Sequence, residues 1–230
     1  MKTNTLWKWI ISLAFILGSA VFTQAQTYLG FRGGLNSSTI YGSEETYNIY
    51  PVSGKSLGIS LDNYISKSAI LNFSLLLDDK GYISYLGGET AKKYGPDELR
   101  YSYKYLTLPV LLKVQGKGRL FASAGFGFYT SVLWKVKVRY FRLGHEYYDG
   151  EPLNTPSSAL DVGIITEFGL GYRISEKIQL KSLFHLAIGL TSFKNNEDFY
   201  RREDRIVSNL SVNASLGVFI RLNKSEEQSK

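Results

Sequence analysis

"FGLGYRISEKIQLKSLFHLAIGL", residues 168–190, alternates apolar and non-apolar side chains along two successive runs. Phe168, Leu170 and Tyr172 make one apolar row and Ile178, Leu180, Phe184, Leu186, Ile188 and Leu190 the next. Gly169, Gly171, Arg173, Gln179, Lys181, His185 and Gly189 fill places between them. Neighbouring side chains of an extended chain point to opposite faces, so a period of two predicts strands whose two sides meet different surroundings. The break at Ser175 and Glu176 predicts a tight turn that folds the two runs into a hairpin. A three-residue loop there sets Arg173 opposite Gln179, Gly171 opposite Lys181 and Glu167 opposite His185. The fold then depends on which row faces inward.

The same alternation occurs in eight segments, at about 27–38, 55–65, 69–85, 100–114, 119–134, 157–174, 177–192 and 206–222. It is clearest in the last, where Leu210, Val212, Ala214, Leu216, Val218, Ile220 and Leu222 alternate with Ser211, Asn213, Ser215, Gly217, Phe219 and Arg221. Short connections at Ser66-Lys67-Ser68, Gly116-Lys117-Gly118 and Ser175-Glu176-Lys177 alternate with long polar ones near 39–54, 86–99, 135–156 and 193–205. Residues paired across an antiparallel hairpin point the same way, and the apolar positions keep their odd or even numbering across all three short turns. Loops of three residues satisfy that parity. An even strand count with tight turns at one end and long loops at the other predicts an all-β, eight-stranded antiparallel up-and-down transmembrane β-barrel, with short periplasmic turns and long extracellular loops.

A soluble barrel, such as a periplasmic lipocalin-like binder, would alternate too, with its apolar row as the core. The other row decides. It carries Glu167, Arg173, Lys181 and His185 beside Gly169 and Gly171, and Ser123, Gly125, Gly127 and Ser131 in the fifth strand. Glycine weakens a strand that faces water, whereas inside a narrow barrel it makes room for the long side chains opposite. Lipid is therefore expected outside and a polar, plugged interior within. Tyr101, Tyr103, Tyr105, Trp134, Tyr140, Phe193, Phe199 and Tyr200 gather where apolar spans end and are expected to form an interfacial girdle.

The N-terminus, "MKTNTLWKWIISLAFILGSAVFTQAQ", places Lys2 and Lys8 before an apolar run and small residues before Gln26. Residues 1–25 read as a cleaved signal peptide, the run being shorter than the roughly 20 residues of a spanning helix. Residues 26–222 would form the barrel and 223–230 a polar tail. The net charge of +7 becomes +5 without Lys2 and Lys8, and the cations are spread along strands and loops, which argues against a nucleic-acid partner. The chain has no Cys, so an exported protein of this kind is held by sheet pairing and burial.

"YLGFRGGLNSSTI" at 28–40, "YLTLPVLLKV" at 105–114, "ASAGFGFYTSVL" at 122–133 and "LSVNASLGVFIRL" at 210–222 together resemble the PorT-like outer-membrane β-barrel family of Bacteroidetes-type bacteria. The resemblance spans nearly the whole chain after the leader and implies location in the cell outer membrane. One namesake is linked to a protein secretion system, but none of the matching residues is a functional motif that would carry that role over. Barrels of this kind often end on an aromatic residue, whereas here "NKSEEQSK" follows Leu222: either Phe219 serves instead or the polar tail hangs in the periplasm.

Arg32, Asp62, Asp161, Glu167, Arg173, Lys181, His185 and Arg221 all fall on the inward row and are expected to join one barrel-interior polar network. Glu167 opposite His185 reads as an acid/base pair or proton-linked gate, or as part of a salt-bridge plug. "KVKVRYFRLGHEYYDGE", residues 135–151, reads as the fifth strand projecting above the membrane. There Lys135, Lys137, Arg139, Arg142 and His145 offer a binding surface for outer-membrane lipid and lipopolysaccharide or for an envelope or secretion-machinery protein. No catalytic, metal or cofactor motif emerges. Gly125-x-Gly127 and Gly169-x-Gly171 open no helix and so cradle no phosphate. The reading is a non-enzymatic outer-membrane protein with a structural, adhesion, binding or envelope-assembly role. A membrane-embedded hydrolase using His145 or His185 is the competing one.

Overall fold

Strands long enough to cross a membrane and still project beyond it account for most of the chain. The computed structural model describes residues 26–42, 49–85, 98–142, 145–150, 160–191, 193–195 and 205–222. The expected leader over 1–25, the tail over 223–230, Phe199 and Tyr200 lie outside these residues. The strands are β1 (Thr27–Tyr41), β2 (Ile49–Tyr64), β3 (Ala69–Tyr85), β4 (Glu98–Gln115), β5 (Leu120–Arg142), β6 (His145–Gly150), β7 (Leu160–Arg173), β8 (Ile178–Gly189), β9 (Phe193–Asn195) and β10 (Arg205–Arg221). Eight of them, β1, β2, β3, β4, β5, β7, β8 and β10, form an antiparallel ring that closes where β10 pairs β1 from Tyr28↔Arg221 to Tyr41↔Ser208. Closure removes the sheet's edges, so its peptide groups are satisfied without water. β6 folds back on the far end of β5, and β9 pairs the start of β10.

Two of the short turns have the expected three-residue loops. Ile65 N donates to Ala69 O, and Ile174 N to Ile178 O, each at 3.0 Å. The third differs: Gln115 pairs Ser123 and Gly116 N donates to Ala122 O at 2.8 Å, so five residues, 117–121, form the loop where three were expected. Phe121 accounts for the extra length. It turns into the lumen opposite Gly171 of β7, which recruits the start of β5 to β7 before it meets β4. The register moves by an even number, so every side chain keeps its expected face.

The two rows resolve as lipid outside. Leu35, Leu170 and Leu216 are 69%, 65% and 71% exposed, while Asp62, Glu167 and Gln179 are at most 1% exposed. Glycines open the lumen to large neighbours: a Cβ on Gly30 would strike the Phe219 ring, and one on Gly171 the Phe121 ring. Phe219 itself is fully buried, inside with Tyr28 and Leu183, so it offers no aromatic to the outer surface. Its odd number places it on the inward row of β10, and Ile220 takes the outward place.

The expected girdle is corrected in the same way. Tyr101, Tyr103 and Tyr105 are 3%, 1% and 3% exposed, packed inward with Tyr82, Val136 and Val138 at the extracellular end of the ring. Tyr82 stacks on Tyr101 with centroids 4.6 Å apart. Trp134, 72% exposed, remains on the outer surface, and Tyr140 packs partly against the tyrosine cluster. Of the long polar connections expected at 39–54 and 135–156, much is strand: β2 begins at Ile49, and β5 runs to Arg142 before β6.

Candidate functional site

Among the described residues, parity brings eight buried charged side chains and one imidazole into the lumen: cations Arg32, Lys80, Lys113 and Lys181, carboxylates Asp62, Asp78, Asp161 and Glu167, and His185. Four cations and four carboxylates sum to zero when the imidazole is neutral, which limits the cost of holding charge inside hydrocarbon.

The charges form two layers. In the lower one, Lys181 Nζ lies 2.7 Å from Asp62 Oδ2 and also donates to Gln115 Oε1 at 3.2 Å. Asn72 Nδ2 donates to Asp62 Oδ1 at 2.6 Å, and Lys113 Nζ lies 3.5 Å from the same carboxylate. Lys113 also contacts Glu167 Oε1 at 2.5 Å, joining Asp62 to Glu167. Glu167 Oε2 accepts from Arg32 Nη1 at 3.2 Å and touches His185 Nε2, while Arg32 Nη1 and Nη2 lie 3.1 and 3.3 Å from the two imidazole nitrogens. The upper layer centres on Asp161, which meets Lys80 Nζ at 3.1 Å and accepts from Tyr129 Oη at 3.3 Å and Asn209 Nδ2 at 3.0 Å.

Apolar layers fill the remaining height. Leu111, Tyr129, Ile165 and Ala187 form one cluster, Tyr28, Leu183 and Phe219 close the periplasmic end, and the tyrosine cluster closes the other.

Arg32, Asp62, Asp161, Glu167, Lys181 and His185 thus meet in these layers, and Glu167↔His185 and Gly171↔Lys181 are direct cross-strand pairs. Two others do not join them. Arg173 caps the periplasmic rim, its Nη1 donating to Gly118 O and Nη2 to Gly116 O at 3.3 Å, with the guanidinium 4.6 Å from the Phe121 ring. Arg221, half-buried, leaves Nε without a partner among the described residues. Sequence reading missed Lys80, Asp78 and Lys113, although Lys113 shares the odd parity of Thr107 and Leu111, and Lys80 the even parity of Asn72.

The outer face changes character over one step. Leu77, Leu106, Val132 and Leu160 pair in a single apolar row around the wall. The next row carries Asp79, Lys104 and Lys135. A bulge at Trp134 makes this possible: Tyr105 pairs Leu133 and Lys104 pairs Lys135, so Trp134 is extra and both it and Lys135 point outward. Beyond it Lys137 is exposed and Arg139 half-buried, on the outer face with Arg100 and Lys104 of β4. Arg100 is held by Glu98 at 2.9 Å and Lys104 by Asp79 at 3.5 Å. The side chain of Arg142 lies outside the description, and His145 is exposed on β6.

A closed antiparallel ring with an apolar exterior and a charged, filled interior is an integral β-barrel of the outer membrane, the arrangement that hydrocarbon around a sheet requires. It rules out the lipocalin-like alternative, whose apolar row would face inward. No protein-family model matches the chain, and no curated protein matches it.

Solved outer-membrane barrels resemble it in architecture. Neisserial surface protein A shares 12% identity at a TM-score of 0.46, covering 87% of this chain and all (100%) of its own. The attachment invasion locus protein Ail of Yersinia pestis, in complex with a heparin analogue, shares 8% at 0.44, with 87% and 100% coverage. The N-terminal barrel domain of Pseudomonas aeruginosa OprF shares 10% at 0.37, with 86% and 100%. Likenesses this distant carry no argument about role.

Proposed function

We propose that this outer-membrane barrel is a non-enzymatic, PorT-like protein that works as a plugged scaffold, presenting its projecting strands to lipopolysaccharide, an adhesion target or an envelope-assembly protein. One observation carries the reading: side chains fill the lumen throughout, while β4 and β5 run for 18 and 23 residues. A tilted membrane strand needs only about 9–11. The surplus length makes a rigid, tyrosine-cored fin with a basic outer face, and rigid elements position a binding surface better than loose loops do. The PorT-like part rests on the strand motifs at 28–40, 105–114, 122–133 and 210–222.

His185 is a poor hydrolytic base in this setting, because Glu167 and Arg32 occupy it inside a filled lumen. His145 is exposed on β6, outside the filled lumen.

Crosslinking in intact outer membranes tests the scaffold. The chain is expected to yield a discrete adduct that disappears when 135–150 is replaced by a short turn, while heat-modifiable gel mobility persists. No adduct from the wild-type chain would overturn the reading.

A further inference from the structure

The bulge at Trp134 leaves a cleft of about 210 Å³ on the outer wall, where the apolar belt ends. Leu77 and Trp134 bound it on the belt side, and Lys104 and Lys135, cross-strand partners, stand over it with Asp79. We propose that this cleft binds a phosphate of the lipid A headgroup in the outer leaflet. The proposal rests on the outer-membrane scaffold reading above and narrows it to one ligand and one set of residues.

Position selects the ligand. The cleft opens sideways from the wall and lies one row beyond Leu77–Leu106–Val132, at headgroup height, where a soluble anion would have to compete with the leaflet. Charge selects it too. The outer face of β3, β4 and β5 beyond the belt carries five cations, Arg100, Lys104, Lys135, Lys137 and Arg139, against the two carboxylates Asp79 and Glu98. Asp79 reaches Lys104 at 3.5 Å and leaves Lys135 facing the cleft, so a phosphate adds a bridging anion between two ammonium groups. Trp134, 72% exposed, gives the indole that an acyl–headgroup boundary favours.

Trp134 also reports the event. Of the three tryptophans, Trp7 and Trp9 lie in the expected leader, so W7F and W9F leave one fluorophore, beside the cleft. The full chain carrying these two changes is reconstituted in phosphatidylcholine vesicles and titrated with bis-phosphorylated lipid A, dephosphorylated lipid A and inorganic pyrophosphate. Heat-modifiable mobility is recorded in parallel, so failure of the barrel reading is distinguished from failure of the site.

Bis-phosphorylated lipid A is expected to shift the Trp134 emission saturably. Removing its phosphates, or introducing K104Q with K135Q, should each weaken binding by about tenfold or more, the loss of two charge-assisted contacts. K177Q at a periplasmic turn should leave it unchanged. Equal binding of the dephosphorylated lipid, retention in K104Q/K135Q, or pyrophosphate binding as tightly as lipid A would each overturn the proposal.

Discussion

Asp62 is fully buried among Lys181, Lys113 and Asn72, and its neighbours explain why the lumen tolerates charge. Asp62, Glu167 and Asp161 each meet more than one donor or cation, and Lys113 is shared between Asp62 and Glu167. Removing one partner therefore costs more than the pair is worth. D62L strands the Lys181 ammonium and leaves Lys113 to Glu167 alone, and should destabilise the barrel by about 3–5 kcal/mol, read as a lower urea midpoint of the heat-modifiable band. D62L/K181M, which deletes the pair together, should recover most of that loss.

Space is as tightly matched as charge. G171A drives a methyl into the Phe121 ring and should cost about 1–3 kcal/mol by the same assay, with G171A/F121L relieving it. These inward residues were legible by parity. Arg32, Asp62, Asp161, Glu167, Lys181 and His185 follow from it, and Lys113 stands on the same inward row as Thr107 and Leu111, although the expected network does not include it.

At the level of the element, β5 shows how one residue redirects a surface. Ser123, Gly125, Gly127 and Ser131 point inward with odd numbers, and beyond the bulge Val136 and Val138 point inward with even ones. Strict alternation would have sent Lys135, Lys137 and Arg139 into the tyrosine cluster. Deleting Trp134 removes the extra residue and joins Leu133 to Lys135 in a regular ladder that keeps Lys135 outward and Val136 inward. The expected result is an extension as resistant to proteolysis within 135–150 as the wild type, with the heat-modifiable barrel intact; rapid cleavage there would show that the bulge does more than set the facing. The turn after Gln115 teaches a related lesson. Its loop is five residues rather than three, and the facing of β5 survives because the change is even.

For the whole molecule, ring closure makes an interior narrow enough for side chains to fill it, as eight strands allow. Phe219, the Asp62–Glu167 charge layer, the Ile165 cluster, the Asp161 layer and the tyrosine cluster follow one another along the axis. In planar bilayers the chain should show no stable open-channel conductance. Steady ohmic steps from the wild-type protein would contradict a filled lumen. The proposed binding then falls to the outer wall, at the lysines of the cleft, and to the projecting strands.

Facing is a local property: a strand's period of two and the parity of its turns were enough to place lipid against Leu170, Leu180 and Leu216 and to turn Glu167 toward His185. Partnership across the lumen is not local. Arg32 reaches Glu167 across 135 residues of chain, and Lys181 reaches Asp62 across 119, because the stagger of the closed ring sets which inward side chains share a height. The same holds for Tyr101, Tyr103 and Tyr105. Their spacing marked the end of the lipid span, but only packing against Tyr82, Val136 and Val138 showed that they seal the barrel instead of ringing it.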